Sequence, residues 1–511
     1  MKKLLLPALL IATPLVAVAQ GSNQASPAPG DFGAPFKARA PGAGAIKVGP
    51  ERGTVVVVGG GSLGPEIYGA FIEAAGGPDA LILVVPNAGG ADSVTPNMGQ
   101  AWRNNGARNV QVLFTKDRKV ADSDSFVAPI RRAGGVWFDG GRQYRLVQDY
   151  GATKSEREFM AVLERGGVVG GSSAGATILG DFMVRGAPSN NNAIMDYPGY
   201  QKAFGYLKNV GVDQHVVARS RLPDLADSII TRYPDLLGIS EDEGTAWVIR
   251  GDTGRIIGRS KAFVYNGRDP NDEGSPFLTL RPGDAYDLNA RRVIRRAIDG
   301  SPLTVDFIRT MFAKYNDPAS GGATVLVAQD GRVLINEAFG IPVQPRYMPR
   351  TTLPLFDAGE MTSIFTAICA QLPAPAVRGR GNAAGGGRGR GGPPPSPLEQ
   401  CVRRVAQPVG ASRTMAPDST HIHTSVDELY RMSLGYESPA TWRDVDLRRG
   451  WSPDTNRNVE RLIVSARTGG KRGVFVRVPD RKLTVIILTN DDSADANGMA
   501  NRILERLRSA Q

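Results

Sequence analysis

Cysteine and histidine are nearly missing from this chain of 511 residues. Two cysteines, Cys369 and Cys401, cannot build a disulfide scaffold, an iron–sulfur cluster or a cysteine-rich zinc site. His215, His421 and His423 are the whole supply of imidazole, so a mechanism that needs one must choose among them. Long apolar runs are absent too: after the N-terminal segment no stretch reaches the length of a membrane span. Neither charge sign dominates. Lys+Arg 61 against Asp+Glu 50 leaves +11, spread along the chain and not gathered into a basic run with interleaved aromatics. Nucleic acid is therefore not an expected partner.

What is present begins with an address. Lys2 and Lys3 precede an apolar stretch from Leu4 to Val18 that contains Pro7 and Pro14, and Ala17-Val18-Ala19 supplies a small-x-small cleavage pattern. Residues 1–19 read as a secretory signal, and 20–45, rich in Gly, Pro, Ala and Ser, as a flexible leader. The expectation is a secreted or periplasmic protein with no integral membrane segment after cleavage.

From residue 46 to 296, short apolar runs alternate with helical spacing. Thr54–Val58, Ala80–Val85, Val110–Phe114, Gly135–Phe138 and Gly167–Val169 read as buried strands; Pro65–Ala75 and Lys154–Arg165 read as helices. The alternation predicts an α/β fold of three layers, α/β/α, around a mostly parallel sheet. From residue 303 to 511 the pattern becomes hairpins. Thr324–Ala328 and Val333–Glu337 are split by Asp330-Gly331; Val474–Val478 and Leu483–Thr489 are split by Pro479-Asp480-Arg481; a helix, Ala494–Arg508, closes the chain. This predicts a smaller α+β domain. The Gly-, Pro- and Arg-rich tract at 373–397 interrupts it and reads as a disordered insert. Cys369 and Cys401 flank the insert, and whether they pair is left open.

The strongest chemical signal is a nucleophile elbow. Gly170-Gly171-Ser172-Ser173-Ala174-Gly175 follows a predicted strand and precedes a predicted helix, Ala176–Met183. Gly171-x-Ser173-x-Gly175 fits the sharp turn that lifts a serine hydroxyl out of a sheet. A serine needs a base, and the base an orienting acid. His215 is the only histidine before residue 421, and acids follow it in Glu241-Asp242-Glu243. Two other patterns point elsewhere. Gly59-Gly60-Gly61-Ser62-Leu63-Gly64 satisfies G-x-G-x-x-G, but the next strand ends in Val84-Val85-Pro86-Asn87, without the acid a dinucleotide ribose requires, so a glycine turn beside the active site is the preferred reading. The acidic triplet has no nearby His or Cys to complete a metal site.

Four ordered blocks carry a resemblance. They are Phe138-Asp139-Gly140-Gly141-Arg142-Gln143, the elbow itself, Asp213-Gln214-His215 with Arg219 and Arg221, and Gly238-Ile239-Ser240-Glu241-Asp242-Glu243-Gly244-Thr245-Ala246. Together they resemble the cyanophycinases and their relatives among dipeptidase E-like serine peptidases, over about residues 50–296. The resemblance implies Ser173 as nucleophile, His215 as base and Glu243 as orienting acid. It implies an oxyanion hole from the N–H groups of Gly141 and Ala174, and a substrate pocket lined by Gln143, Asp213, Gln214, Arg219 and Arg221. It also implies hydrolysis of β-aspartyl peptide bonds, with cyanophycin cut to β-Asp-Arg dipeptides, and no metal or cofactor. The partner is then a peptide or poly-aspartate-type substrate; a homodimer is compatible with the sequence. Two positions depart from the family pattern. Leu222-Pro223-Asp224 stands where a third arginine is usual, and Arg142 where an acid is common.

Residues 303–511 resemble, more weakly, the serine β-lactamase and penicillin-binding esterase superfamily. Ala328-Gln329-Asp330-Gly331 with Phe339-Gly340 is similar to its opening hairpin, and Arg467-Thr468-Gly469-Gly470 falls at its Lys/His-Thr-Gly motif. Its Ser-x-x-Lys pair would fall at Glu360 and Ser363, which cannot support acyl-enzyme chemistry. The expectation is a degenerate, noncatalytic module. His421 and His423 alone make a weak metal site. The rival readings are a peptidase of the same mechanism acting on other small acidic or β-aspartyl peptides, and a noncatalytic peptide- or peptidoglycan-binding protein.

Overall fold

A computed structural model describes residues 47–508, apart from 190, 273, 318–319, 341–354, 374–394, 439–440, 443, 457–458 and 469–470. The signal at 1–19, the leader at 20–45, Gly469-Gly470 and nearly all of the tract at 373–397 lie outside the described residues.

The first half is organised by valine. β1 (Thr54–Val58), β2 (Ile82–Val85), β4 (Gly135–Phe138) and β5 (Val168–Ser172) are almost wholly buried, as strands covered on both faces must be. With β3 (Val110–Val112) they form a parallel block in the order β1-β5-β4-β2-β3. Helices Pro65–Ala74 and Lys154–Glu164 cover it. β6 (Val210–Gln214) and β7 (Leu237–Glu241) belong to another sheet, described below. Antiparallel β8 (Thr245–Arg250), β9 (Thr253–Gly258), β12 (Ala285–Asp287) and β13 (Arg292–Arg295) extend the block from β1 to nine strands. The sheet is thus parallel only on one side.

The alternation pattern did not foresee a second sheet of four strands. It runs β11-β10-β7-β6, with β10 (Ala262–Tyr265) and β11 (Phe277–Leu280). β6 and β7 are parallel and end together, at Gln214 and Glu241. The helix expected over Ala176–Met183 is also corrected: helix persists only for Ala174–Thr177. The chain then turns back so that the N–H groups of Asp181 and Phe182 both donate to the Val210 carbonyl, 2.8 and 3.1 Å away. Pairing with β6 outcompetes continued helix.

The second half is a mixed α/β unit around a six-stranded antiparallel sheet. Its strands are β14 (Ala323–Gln329), β15 (Arg332–Phe339), β18 (Ser452–Asn456), β19 (Val459–Thr468), β20 (Lys471–Val478) and β21 (Leu483–Thr489), in the order β15-β14-β21-β20-β19-β18. The short pair β16 (Phe356–Asp357) and β17 (His423–Thr424) lies apart. Both expected hairpins are present. Asp330 and Gly331 take φ of 49° and 71°, the left-handed pair that a two-residue hairpin turn requires. Helices Thr362–Cys369, Pro397–Ala406 and Val426–Tyr436 cover one face of the sheet; Val305–Met311 and Ala496–Arg508 cover the other. Pro397 starts a helix instead of ending the insert. Cys369 and Cys401 are free thiols, and burial first, then the neighbouring Cys369, pushes the Cys401 thiol well up.

Candidate active site

Ser173 stands at the carboxyl end of β5, where the parallel strands β1 and β4 also end. Its φ of 59° and ψ of −116° place it in a strained turn, held by its N–H donating to the Val58 carbonyl at 2.9 Å. Gly171 has to be glycine: a Cβ there would lie 2.1 Å from the Gly175 carbonyl oxygen. The turn aims the Ser173 hydroxyl at His215, with Oγ 2.8 Å from Nε2.

His215 follows β6 directly. It takes a positive φ of 56°, its N–H donates to the Gly59 carbonyl at 3.0 Å, and its ring is buried. Nδ1 lies 2.6 Å from Glu243 Oε1. Glu243 sits in the turn between β7 and β8. The His215 hydrogen bond, more than any other influence, holds its carboxyl below the usual range, so it faces the imidazole as a carboxylate. The second sheet thus supplies base and acid to a serine from the first. The glycines of G-x-G-x-x-G pack against this pair. A Cβ on Gly60 would lie 2.2 Å from His215 Cε1. The run that mimics a nucleotide loop thus brings backbone up against the imidazole.

Gly140 lies against Ser173, where a Cβ would stand 3.2 Å from the serine Cβ, and no backbone hydrogen bond is made by the N–H groups of Gly141 or Ala174 among the described residues. The remaining predicted residues divide into two groups. Gln143 and Asp213 are buried and point into the protein. Gln143 Nε2 donates to the carbonyls of Val184 and Arg185, at 2.5 and 2.9 Å. Asp213 accepts a two-pronged bond from Arg185, Nε and Nη2 each at 2.9 Å. Gln214 is buried with its Oε1 unpaired. Arg219 is exposed and Arg221 half-buried, and neither guanidinium has a hydrogen bond or ion pair among the described residues. Burial, with help from Arg185, pushes Arg221 down to about 10.

Sequence reasoning missed Arg185, which carries no motif. It also binds Asp224, Nη2 to Oδ2 at 2.6 Å. Asp224 therefore shares with Asp213 the single positive charge of a buried guanidinium. Burial alone would lower the Arg185 pKa, but the two carboxylates more than offset it. Replacing Arg185 by Met should cost about 3–5 kcal/mol of stability, because Asp213 would be left as a buried uncompensated charge. Urea unfolding measures it; a loss under about 1 kcal/mol would mean that water reaches Asp213.

The acidic triplet separates completely. Glu241 is buried with both oxygens unpaired, and burial pushes its carboxyl well above the usual carboxylate range; Asp242 points toward Arg431; Glu243 points toward His215. In the second half, Ser363 Oγ donates to the Gly450 carbonyl at 3.0 Å, and Glu360 accepts from the Arg467 N–H. His421 Nδ1 lies 3.8 Å from Asp357.

Residues 55–257 match peptidase family S51. The cyanophycinase of Synechococcus elongatus is 31% identical over 267 residues, spanning 48% of this chain and 83% of that protein. That of a Nostoc species is 30% identical over 273 residues, 52% of this chain and 84% of the relative. Among solved structures, a peptidase from an acI-B1 Actinobacterium is similar over 47% of this chain and 98% of its own, with a TM-score of 0.36 at 23% identity. With relatives at this identity covered over more than four fifths of their length, the chain belongs to peptidase family S51 and is a cyanophycinase-like serine peptidase.

Proposed function

We propose that this chain is an exported serine peptidase that hydrolyses β-aspartyl peptide bonds, with cyanophycin, cut to β-Asp-Arg, as the leading substrate. The observation that carries the chemistry is the unbroken line Ser173 Oγ, His215 Nε2, His215 Nδ1, Glu243 Oε1, with steps of 2.8 and 2.6 Å. Ser173 Oγ attacks the scissile carbonyl carbon as its proton passes to His215 Nε2. Glu243 stabilises the resulting imidazolium through Nδ1–H. The N–H groups of Gly141 and Ala174 bind the oxygen that gains charge. The C–N bond then breaks, and the Nε2 proton goes to the leaving amine. Water, deprotonated by His215, releases the acid and restores Ser173.

Arg219 and Arg221 support the choice of substrate. Two guanidinium groups without protein partners, on the turn that follows the base, suit the free carboxylates that a β-aspartyl linkage leaves on the chain. Arg221→Ala should raise KM roughly 10–100-fold, the equivalent of one charged hydrogen bond, and lower kcat much less. Initial rates at varied substrate test this; an equal loss in kcat would give Arg221 a transition-state role instead.

A second reading has its own observation. Asp213 gives both of its oxygens to Arg185 and Asp224 gives one, so Asp213 is not left to face a substrate arginine. This favours β-aspartyl peptides that lack arginine. Mass spectrometry of products from cyanophycin, with Ser173→Ala as control, separates the two: β-Asp-Arg released by the wild type alone supports the first. A folded protein that releases none, yet cleaves short β-aspartyl peptides, supports the second. Export rests on the 1–19 pattern, and an isolated mature N-terminus at Gln20 is its expected signature. Residues 303–511 are read as a noncatalytic β-lactamase-like module, because Glu360 and Ser363 occupy the positions of its nucleophile and lysine.

A further inference from the structure

Asp242, beside the orienting acid, is buried and triply bonded. Its Oδ1 accepts from the Ala218 N–H at 2.9 Å, and its Oδ2 from Ser260 Oγ at 2.8 Å and from Arg431 Nη2 at 3.1 Å. Ala218 lies in the turn that begins at His215, where the Arg219 N–H donates to the His215 carbonyl at 2.9 Å. Asp242 therefore ties the turn behind the base to the turn that carries the acid. Its third partner comes from the other half of the chain. Arg431 projects from the helix Val426–Tyr436, lies outside the residues 55–257 that match the family, and is buried. Its Nη1 also donates to the Gly410 carbonyl at 2.6 Å and lies 3.3 Å from Glu428 Oε1.

We infer that Arg431 is a positioning residue of the peptidase site: from the C-terminal half it clamps Asp242, and through Asp242 it holds His215 and Glu243 in register. The second half is then part of the working enzyme and not an appendage. This rests on the assignment of Ser173, His215 and Glu243 made above. The electrostatic setting agrees. Arg431 faces Glu428, Asp242, Asp427 and Glu243, which raise its pKa against the opposing effect of burial; Glu243 faces His215, Arg431 and Arg219. Arg259, buried nearby, feels Glu66, Arg431, Glu243 and Glu428. Arg431 is a fixed positive charge that helps keep Glu243 ionised.

A contact that merely glues the halves together makes a different prediction, and the molecule offers a comparison. Arg281 Nη2 and Glu337 Oε1 form another ion pair across the halves, at 3.2 Å, and neither is among the groups that act on Arg431 or Glu243. The experiment uses the full mature chain with Arg431→Met, Arg431→Lys, Asp242→Asn and the paired change Arg281→Met with Glu337→Leu. Melting temperature, kcat, KM and the pH profile of kcat/KM are measured on a β-aspartyl peptide.

Arg431→Met should lower kcat about 10–100-fold with KM within about threefold, the scale of a misplaced catalytic pair. Its acid limb should move to higher pH, since loss of the cation lets the His215–Glu243 pair hold its proton more tightly. Arg431→Lys should restore part of kcat and return the acid limb toward the wild-type position. Asp242→Asn, nearly isosteric, should lower kcat about tenfold without unfolding, and it decides the matter if Arg431→Met fails to fold. The Arg281/Glu337 pair should change the melting temperature alone. Wild-type kcat in Asp242→Asn, or an Arg431→Met variant that melts earlier with kcat and acid limb unmoved, would overturn the inference. Full turnover by Ser173→Ala would instead overturn the site assignment on which it stands.

Discussion

Ser173→Ala should lower kcat/KM on the order of 10⁴–10⁶-fold, the span seen when a triad serine is removed from serine peptidases. The size follows from what remains. The N–H groups of Gly141 and Ala174 would still bind the substrate carbonyl, but no nucleophile would stand 2.8 Å from His215 Nε2, and water would have to take its place. The loss should fall on kcat, because the hydroxyl does its work only as the bond to carbon forms. Stability supplies an independent check. Ser173 holds φ at 59°, a region that costs a residue with a Cβ about 1–3 kcal/mol. Ser173→Gly should therefore be as inactive as Ser173→Ala but more stable than it by about 1 kcal/mol. Turnover within tenfold of wild type in either variant, with the peptidase purified free of contaminants, would remove Ser173 from the mechanism.

The parts of the fold that were legible in the sequence are those fixed by local chemistry. Thr54–Val58 is a run of β-branched residues and forms a strand with those ends. Asp330-Gly331 takes the left-handed pair of conformations its composition favours, and the hairpin forms around it, with one register shift between Val327 and Ala328. The four-stranded sheet was not legible, because β6 and β7 are defined by each other across more than twenty residues and not by their own patterning. The helix after Ser173 read too long for a similar reason. Its apolar spacing continues past Thr177, but nothing in Asp181-Phe182 announces that both N–H groups will be claimed by Val210.

The candidate site divides along the same line. Ser173, His215 and Glu243 sit in motifs whose glycines and neighbours are close in sequence, and the structure brings them within hydrogen-bond distance. Arg185 was invisible because its partners, Asp213 and Asp224, lie 28 and 39 residues away, and a lone arginine carries no pattern. Arg431 was more remote still, 189 residues from Asp242. Gln143 and Asp213 could be placed in a motif but not on a surface. Only the folded chain reveals that both are buried and turned toward residues 184–185.

Glu243→Gln should lower kcat about 10³–10⁴-fold while leaving the fold nearly intact, since the amide has the size of the carboxylate. Two effects combine. A glutamine at 2.6 Å from Nδ1 can offer its N–H₂ as readily as its oxygen, and in that arrangement the ring proton moves to Nε2, where it faces Ser173 and cannot accept from it. The amide also provides no charge for the imidazolium that forms as Ser173 attacks. KM should change little, because the acid lies behind the base and away from the substrate. Stability should respond to pH with a definite sign. Glu243 is held below the ordinary carboxylate range mainly by the His215 hydrogen bond, so its contribution is present above that range and is lost as pH falls through its folded value. The stability gap between wild type and Glu243→Gln should therefore be widest near neutrality and close in acid. Unfolding midpoints measured from pH 7 down to about pH 3 would show this convergence. A gap that stays constant across that range would mean that Glu243 titrates alike in the folded and unfolded chain, and that the pair with His215 is not the ionic contact that orients the base.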